Sequence, residues 1–200
     1  MDEKITSREN AKIKYACRLS SSAAFRRSEG RFLAEGRKLC PELAGLPGEH
    51  YLVEDHVADK LADVGTLLRS AAAFGFDGVI LSDGCASVYA PKTLRASMGA
   101  AVRIPVIEAG AMPDAITRLR EKGITCLAAA LYKSQPLSAA QASYPGGVCV
   151  VIGSEGQGLT DETIAACSST VRIPMTDRVE SLNAGIAGSI LLWHFREESL

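Results

Sequence analysis

Two loops in the last third of the chain carry glycines, hydroxyls, carboxylates and amides at spacings that could hold a small ligand. The first is the sequence GSEGQG at positions 153–158, which follows the apolar, β-branched run at 148–152. The second runs from Ile173 to Asn183 and ends in the triplet SLN. Ligands in open α/β sheets bind at the carboxyl ends of strands. Because both loops follow strand-like runs, we expect their backbone groups to hold one ligand together.

The surrounding chain predicts an α/β domain over residues 51–200, preceded by a separate basic segment at 1–50. Apolar runs alternate with helix-compatible segments, which indicates a mainly parallel sheet with helices on both faces. We predict strands at 51–54, 78–82, 101–106, 124–130, 147–152 and 170–174. We predict helices at 65–74, 91–98, 113–122, near 138–142, at 160–166 and at 181–197, with Ser181 as the N-cap of the last one.

Three ordered blocks give the chain a specific resemblance. They are VGTLLRSAAAFG at 64–75, IGSEGQGL at 152–159, and IPM at 173–175 followed by SLN at 181–183. In this order and spacing they resemble the SpoU (TrmH) family of RNA ribose 2′-O-methyltransferases, from about residue 52 to the end of the sequence. The resemblance implies a C-terminal deep trefoil knot, S-adenosyl-L-methionine as the cofactor, a homodimer, and rRNA or tRNA as partner and substrate.

The resemblance also indicates the catalytic residues. Arg69 is the first candidate, and we expect it to orient the substrate phosphate and stabilise the developing alkoxide, since an arginine does not give up its proton. Glu155 would hold Arg69 or the substrate ribose in position. Ser181 is either a catalytic residue or a helix cap, or both, and Asn183 would bridge the loops near the nucleophile.

The cofactor positions that the resemblance implies share small or apolar character, because adenosylmethionine carries no phosphate and is bound through backbone groups and apolar walls. They are Gly153, Ile173 and Leu182, with Leu131, Met175 and Asn183 lining the same pocket. Considered one at a time, Ile173 and Leu182 also fit simple core packing.

The first block departs from the family pattern at one position. The family has an asparagine six residues before the arginine, within Asp-Pro-Gly-Asn, whereas this chain has Asp63 there and lacks the proline and glycine. A carboxylate at this place would pair with Arg69 or repel the substrate phosphate, so we expect reduced activity and a gain on Asp63→Asn. Asp177 replaces a glycine that is common in the following loop.

Charge is distributed unevenly along the chain. Residues 4–38 contain ten basic and three acidic residues, a net charge of +7. Because the whole chain has a net charge of −1, the remaining residues carry about −8. This segment could contact phosphate, or it could be a solvated basic helix. We predict helix over 4–28 and a short strand at 30–37, an arrangement similar to a shortened form of the RNA-recognition domain that precedes the catalytic domain in many family members.

Composition excludes several other classes. An apolar fraction of 47% with 22% charged residues is typical of a globular domain. Apolar runs are too short to span a bilayer, and the first residues, MDEK, lack a signal core, so a cytoplasmic protein is expected. The six cysteines and three histidines are scattered without metal-ligand spacing, which predicts buried, reduced thiols and no metal site.

Two other functions fit parts of the sequence. A dinucleotide-binding oxidoreductase also places glycines between a strand and a helix, but the order here is Gly-x-x-Gly-x-Gly and Glu155 would face the pyrophosphate. A family member that binds cofactor or RNA without turnover is the stronger alternative, on account of Asp63 and the shortened basic segment.

Overall fold

The computed structural model of the chain describes residues 10–33, 62–131, 134–139, 144–154 and 158–196. Its helices are α1 Ala11–Ser21, α2 Ala23–Glu29, α3 Ala62–Ala73, α4 Pro91–Ser97, α5 Met112–Glu121, α6 Asp161–Ala166 and α7 Ala184–Phe195, with 3₁₀ turns at Ala100–Val102 and Leu137–Ala139. Its strands are β1 Val79–Leu81, β2 Val106–Glu108, β3 Thr125–Ala129, β4 Gln135–Pro136, β5 Val148–Val151 and β6 Ser169–Arg172. Strand and helix alternate from β1 onward, as predicted, except that β4 follows β3 with no helix between them.

The named strands pair in parallel throughout the described part of the chain. β1 pairs with β2, and the other four lie in the order β4-β6-β3-β5. β3 is central, with Leu127 opposite Val150 of β5 and Ser169 of β6. Parallel pairing puts the carboxyl ends of β3, β5 and β6 at one edge of the sheet, so the loops that follow these strands emerge side by side.

Both faces of the central strand are covered by helices. Cys126 and Ala128 of β3 point into a cluster with Ile116 of α5 and partly buried side chains of α6. Leu127, between them, points to the opposite face, where it packs with Leu191 of α7. Alternation along β3 therefore divides the core into two layers, and the predicted mainly parallel sheet with helices on both faces is confirmed.

A third cluster joins α3 to the β1–β2 pair. Its buried members are apolar residues of α3, β1, α4, the 3₁₀ turn, α7 and two adjoining loops: Leu68, Ala71, Leu81, Val88, Leu94, Ala100, Ala101, Ile104 and Leu192. Leu68 and Leu94 are almost fully buried, at 0% and 1% exposure. This packing anchors α3, the helix of the first sequence block, between α4 and α7.

Two predictions about local structure need correction. The strand predicted at 101–106 is a 3₁₀ turn followed by β2, which begins only at Val106. Gly99, with φ +91°, turns the chain into that 3₁₀ helix, and the buried residues Ala100, Ala101 and Ile104 follow helical spacing. Residues 30–33 form no strand, and the remainder of the 30–37 prediction, together with strand 51–54, lies outside the described residues.

The described part of the basic N-terminal segment, residues 10–33, forms two short helices. Asn10 caps α1 and Ser22 caps α2, each through a side-chain oxygen that accepts a backbone N–H. Ala16, Leu19 and Leu33 are buried together in a small cluster of their own. The helical prediction is confirmed for residues 11–21 and 23–28. Within the described residues no helix combines the length and the apolar character required to cross a bilayer.

Candidate functional site

Residues from the first and last sequence blocks meet where α7 begins. Asn183 is the N-cap of α7, and its Oδ1 accepts the N–H of Ile186 at 3.1 Å. Its Nδ2 donates to Oδ1 of Asp63 at 2.9 Å, across 120 positions of sequence. One amide therefore caps a helix and ties it to the first turn of α3.

A glycine makes this approach possible. A Cβ on Gly185 would lie 3.0 Å from Oδ1 of Asp63 and 3.3 Å from Oδ1 of Asn183. Asp63 belongs to the first turn of α3 and lies against the first turn of α7. The N-terminal ends of α3 and α7 thus lie beside one carboxylate.

Small residues lock α3 against α7 further along the pair. Ser189 Oγ donates to the carbonyl of Gly185 at 2.7 Å, and Ser70 Oγ lies 2.7 Å from Ser189 Oγ. Because the single hydroxyl proton of Ser189 is used on Gly185, Ser70 must be the donor in the second bond. A Cβ on Gly188 would meet Leu67 Cδ2 at 2.2 Å. A side chain at position 188 would therefore require Leu67 to move, so the glycine permits the packing that the two helices have.

Arg69 projects from this rigid pair. Its neighbours Leu68 and Ala71 are buried at 0% and 2% exposure, whereas Arg69 is exposed on the opposite side of α3. Ser70, the next residue, is bonded to α7. The guanidinium is thus a solvent-facing cation on a helix whose position is determined by buried packing.

The two ends of the glycine loop after β5 lie close together. Ser154 and Gly158 form an antiparallel bridge, with the Gly158 N–H donating to the Ser154 carbonyl at 2.9 Å. Gly158 has φ +67°, and a Cβ on Gly153 would lie 2.2 Å from the carbonyl carbon of Gly158. Only glycine fits at position 153, so this residue is required for the turn whether or not a ligand is bound.

The predicted cofactor residues follow the neighbouring parallel strands. Leu131 lies just beyond β3 and is 46% exposed, while Ile173 and Met175 lie beyond β6 and are half-buried. Leu182 is half-buried directly before the Asn183 cap. These residues and Gly153 come from loops that leave one edge of the sheet, which is the arrangement expected of a site built across strand ends.

Two sequence interpretations change at this site. Ser181 is exposed and two residues outside the helix, because α7 begins at Ala184 with Asn183 as its cap. Asp63 accepts a hydrogen bond from Asn183 and forms no ion pair with Arg69, because six residues along a helix leave the two side chains about 120° apart around its axis. Glu155 lies outside the described residues. The sequence analysis did not predict the small residues of the α3–α7 contact. The available signal was a glycine or serine at every third or fourth residue of a helix, which indicates close packing against a second helix.

Three thiols lie together in the core cluster on one face of the sheet. Cys126 and Cys149 are opposite each other on β3 and β5, and a hydrogen bond between them raises the pKa of Cys149 and lowers the pKa of Cys126. Burial raises the pKa of Cys167 to about 11. Cys17 and Cys85 are exposed, contrary to the prediction of buried thiols, and Cys40 lies outside the described residues. Within the described part of the chain, no group of three or more His, Cys, Asp or Glu side chains is arranged to hold a metal.

Comparison with known proteins identifies the family. The chain is 32% identical over 145 residues to an uncharacterized tRNA/rRNA methyltransferase of Synechocystis, covering 71% of this chain and 52% of the relative. It is 31% identical over 145 residues to the 23S rRNA (guanosine(2553)-2′-O)-methyltransferase RlmP of Bacillus subtilis, covering 72% and 57%. The chain thus spans little more than half the length of these curated relatives.

A solved structure shares the fold over nearly the whole chain. The AdoMet-bound rRNA methyltransferase from Sinorhizobium meliloti superposes with a TM-score of 0.84 at 23% identity, covering 99% of this chain and 98% of that one. The sequence model of the SpoU rRNA Methylase family matches residues 50–193, which include the α3–α7 junction, the glycine loop and Arg69. With that match over most of its length, the chain belongs to the SpoU rRNA Methylase family.

Proposed function

We propose that this protein transfers the methyl group of S-adenosylmethionine to a ribose 2′-hydroxyl of rRNA or tRNA. The observation that carries the proposal is the junction of Asp63 and Asn183, which joins the first and last family blocks and leaves Arg69 exposed on the same helix. The name of the Bacillus relative, a guanosine 2′-O-methyltransferase, supports ribose as the acceptor. The C-terminal trefoil knot expected from the family is part of this proposal.

The strand-end loops fit the chemistry of the cofactor. Adenosylmethionine has an apolar adenine face, a ribose and a positively charged sulfonium, and no phosphate. The loops offer the tight backbone turn at Gly153 and half-buried apolar side chains at Ile173, Met175 and Leu182. When bound, the cofactor supplies the activated methyl carbon. The AdoMet-bound relative from Sinorhizobium supports the assignment.

Arg69 is the residue we assign to the substrate. Its guanidinium stays protonated at any physiological pH, so it acts as a cation and not as a base. It would bind a backbone phosphate of the RNA and thereby hold the 2′-hydroxyl in line, and it would stabilise negative charge that develops on the oxygen. A single donor of this kind contributes about 3–4 kcal/mol to the transition state, or about 10²–10³-fold in turnover.

Asn183, Ser181 and Glu155 complete the proposed site. Asn183 positions the last loop, because its two amide atoms are engaged with Ile186 and Asp63. Ser181 is exposed in the same loop, where its hydroxyl is free to face an RNA ribose instead of the helix. We keep Glu155 as the group that holds Arg69 or the ribose.

A second candidate is a family member that binds cofactor or RNA with weak or absent turnover. One observation favours it: the Asp63 carboxylate occupies the Asn183 amide and adds a negative charge on the helix that carries Arg69. Such a charge would oppose the approach of an RNA phosphate. Asp63→Asn keeps an oxygen acceptor for Asn183 and removes the charge, so it should raise methyl transfer. An unchanged or lower rate in this variant would contradict the role given to Asp63.

We also propose that the protein forms a homodimer through α7. Ile186, Ile190 and Trp193 are 53%, 37% and 53% exposed and recur at i, i+4 and i+7, so they make one apolar face. Under the proposed function, we expect this apolar face to pack against a second copy of the chain. Trp193→Lys should convert the dimer to a monomer in analytical ultracentrifugation, whereas Arg118→Ala on α5 should not. The cytoplasmic location expected from the sequence stays a prediction.

The test of the function is methyl transfer from labelled S-adenosylmethionine to unmodified rRNA and tRNA, each digested with alkali. A 2′-O-methylated ribose resists alkaline cleavage, so labelled dinucleotides identify the acceptor. Arg69→Ala should lower the rate about 10²–10³-fold, while Arg118→Ala, an exposed arginine elsewhere, should leave it unchanged. Label that appears only in alkali-labile mononucleotides would refute ribose as the acceptor. Cofactor binding without transfer to either RNA would establish the second candidate.

A further inference from the structure

A cleft of about 550 Å³ lies between the basic N-terminal helices and the carboxyl ends of β1 and β2. One wall comes from α2 and the turn after it, and the other from the chain between Leu81 and Tyr89 together with Glu108. Ligand pockets in proteins measure roughly 300–1,000 Å³. The cleft is therefore large enough for one nucleotide, and it is formed by segments outside the strand-end loops described above.

The N-terminal wall holds a buried cation that has no carboxylate partner among the described residues. Arg26 is only 9% exposed, and its Nη1 donates to the carbonyls of Leu19 and Ser20 at 2.7 and 3.1 Å. Its Nε is buried and has no acceptor among the described residues. Arg27, the next residue, is exposed in the same wall. A buried positive charge with no carboxylate among its described neighbours favours an anion in the adjoining space, and phosphate is an anion that arginines bind.

An aromatic platform stands beside these arginines. Tyr89 is 45% exposed, and its ring stacks on Phe32 with centroids 5.0 Å apart and an interplanar angle of 26°. Phe32 packs in turn against the buried cluster of α3 and α4. The tyrosine is thus held by a ring behind it while it remains accessible, which is how proteins present a surface for an unstacked base.

The opposite wall carries hydrogen-bond acceptors. Glu108 ends β2, and Asp83 follows β1 by two residues; because Leu81 is in register with Glu108, the two carboxylates lie at the same edge. Both side chains are exposed. Carboxylates repel phosphate and accept hydrogen bonds from the donor groups of bases. Guanine is the base with two adjacent donors, its ring N–H and its amino group, for a single carboxylate.

We propose that this cleft binds one unpaired guanine nucleotide of an RNA strand, with the base on Tyr89, its donor edge on Asp83 or Glu108, and its phosphate at Arg26 and Arg27. This inference rests on the proposed RNA-modifying function, to which it adds a point of substrate selection. The described residues 10–33 contain six basic residues and one acidic residue, a net +5, and this charge draws the polyanion to this side of the molecule, whereas the cleft selects the nucleotide.

The test uses the full chain without S-adenosylmethionine and four single-stranded pentanucleotides, UUGUU, UUAUU, UUCUU and UUUUU, in filter binding at fixed salt. We expect UUGUU to bind most tightly. Tyr89→Ala should weaken it at least about fivefold, the change that corresponds to ~1 kcal/mol for stacking a base on an aromatic ring. Tyr89→Phe keeps the ring and should retain binding. Glu108→Gln and Asp83→Asn, made separately and together, should reduce the preference for UUGUU over UUAUU.

The controls separate this inference from the proposed function. Arg118→Ala lies on α5, away from the cleft, and should bind as the unaltered protein does. Arg69→Ala should lose methyl transfer but keep guanine preference. Equal binding of all four oligonucleotides, or unchanged binding by Tyr89→Ala together with unchanged preference in the carboxylate variants, would overturn the cleft assignment even if methyl transfer is found. Guanine preference with no methyl transfer to any RNA would support the cleft and refute the proposed function.

Discussion

Substitution of Asn183 separates two interactions that one amide makes. Its Oδ1 caps α7 through the Ile186 N–H, and its Nδ2 donates to Asp63. Loss of an asparagine cap costs about 1 kcal/mol, within a range of roughly 0.5–2. Loss of a side-chain hydrogen bond costs about 0.5–1.5 kcal/mol net, and because Asn183 is exposed the lower half of that range applies. Asn183→Ala should therefore lower the free energy of unfolding by about 1.5–2 kcal/mol.

A matched variant isolates each contribution. Asn183→Ser keeps an oxygen cap but is too short to reach Asp63, so it should cost only about 0.5–1 kcal/mol. Asp63→Ala removes the same bond from the other side, and in a double-mutant cycle with Asn183→Ala the effects should fall short of additivity by about 0.5–1 kcal/mol. At about 2–4 °C per kcal/mol for a chain of this size, Asn183→Ala should melt about 3–8 °C below the unaltered protein.

Thermal unfolding followed by circular dichroism measures these differences. If Asn183→Ser melts as low as Asn183→Ala, the capping role is refuted. If Asp63→Ala and Asn183→Ala add fully, the bond across the α3–α7 junction contributes nothing to stability. Methyl transfer measured on the same variants should follow the loss of the Asp63 contact more closely than the loss of the cap, because the contact positions the loop that carries Ser181.

Three further variants or measurements test other parts of the structure. Gly153→Ala should abolish S-adenosylmethionine binding in titration calorimetry, since its Cβ would lie 2.2 Å from Gly158 backbone; Gly110→Ala, whose Cβ would meet only Asp83 at 3.9 Å, should bind normally. Gly65→Ala should destabilise the fold by about 1–2 kcal/mol in urea unfolding, although alanine has the better helix propensity. The reason is that the Cβ would lie 2.5 Å from the Thr93 carbonyl oxygen and 2.9 Å from a backbone nitrogen. A stability equal to that of the unaltered protein would show that α3 and α4 can separate. At pH 8 an alkylating reagent should modify the exposed thiols of Cys17 and Cys85 first, as read by mass spectrometry. Cys167 should gain reactivity only as the pH rises toward its raised pKa of about 11, because the thiolate is the reactive form. Modification of Cys167 as fast as the exposed thiols at pH 8 would contradict its burial.

Much of the fold could be predicted because its signals are local. Apolar runs such as 148–152 and helical spacing in α7 indicate their own secondary structure, and their alternation requires a parallel sheet with helices on both sides. The strand predicted at 101–106 failed because an apolar run does not show whether its residues alternate between two faces or pack on one. The positive φ of Gly99 and the burial of Ile104 settle that question only in the assembled core.

The candidate site was predictable in its residue types and not in its contacts. Ser181 and Asn183 are both residue types that favour the N-cap position. Asn183 is the cap in the structure, because Gly185 allows the first turn of α7 to lie against Asp63, to which Asn183 donates a hydrogen bond. Helical geometry excludes Arg69 as the partner of Asp63, because the two side chains point in different directions from α3. It does not identify Asn183 as the actual partner, which lies 120 residues away in sequence.

The sequence by itself determined the family, the alternation of strands and helices, and the glycine that the loop after β5 requires, because each depends on residue type and short-range spacing. Only the tertiary structure decided which groups face each other. The Asp63–Asn183 bond depends on the separation of two packed helices, and the cleft of Arg26, Tyr89 and Glu108 is assembled from three segments of chain. Such contacts arise from the burial of apolar surface elsewhere in the core, so no local pattern in the sequence records them.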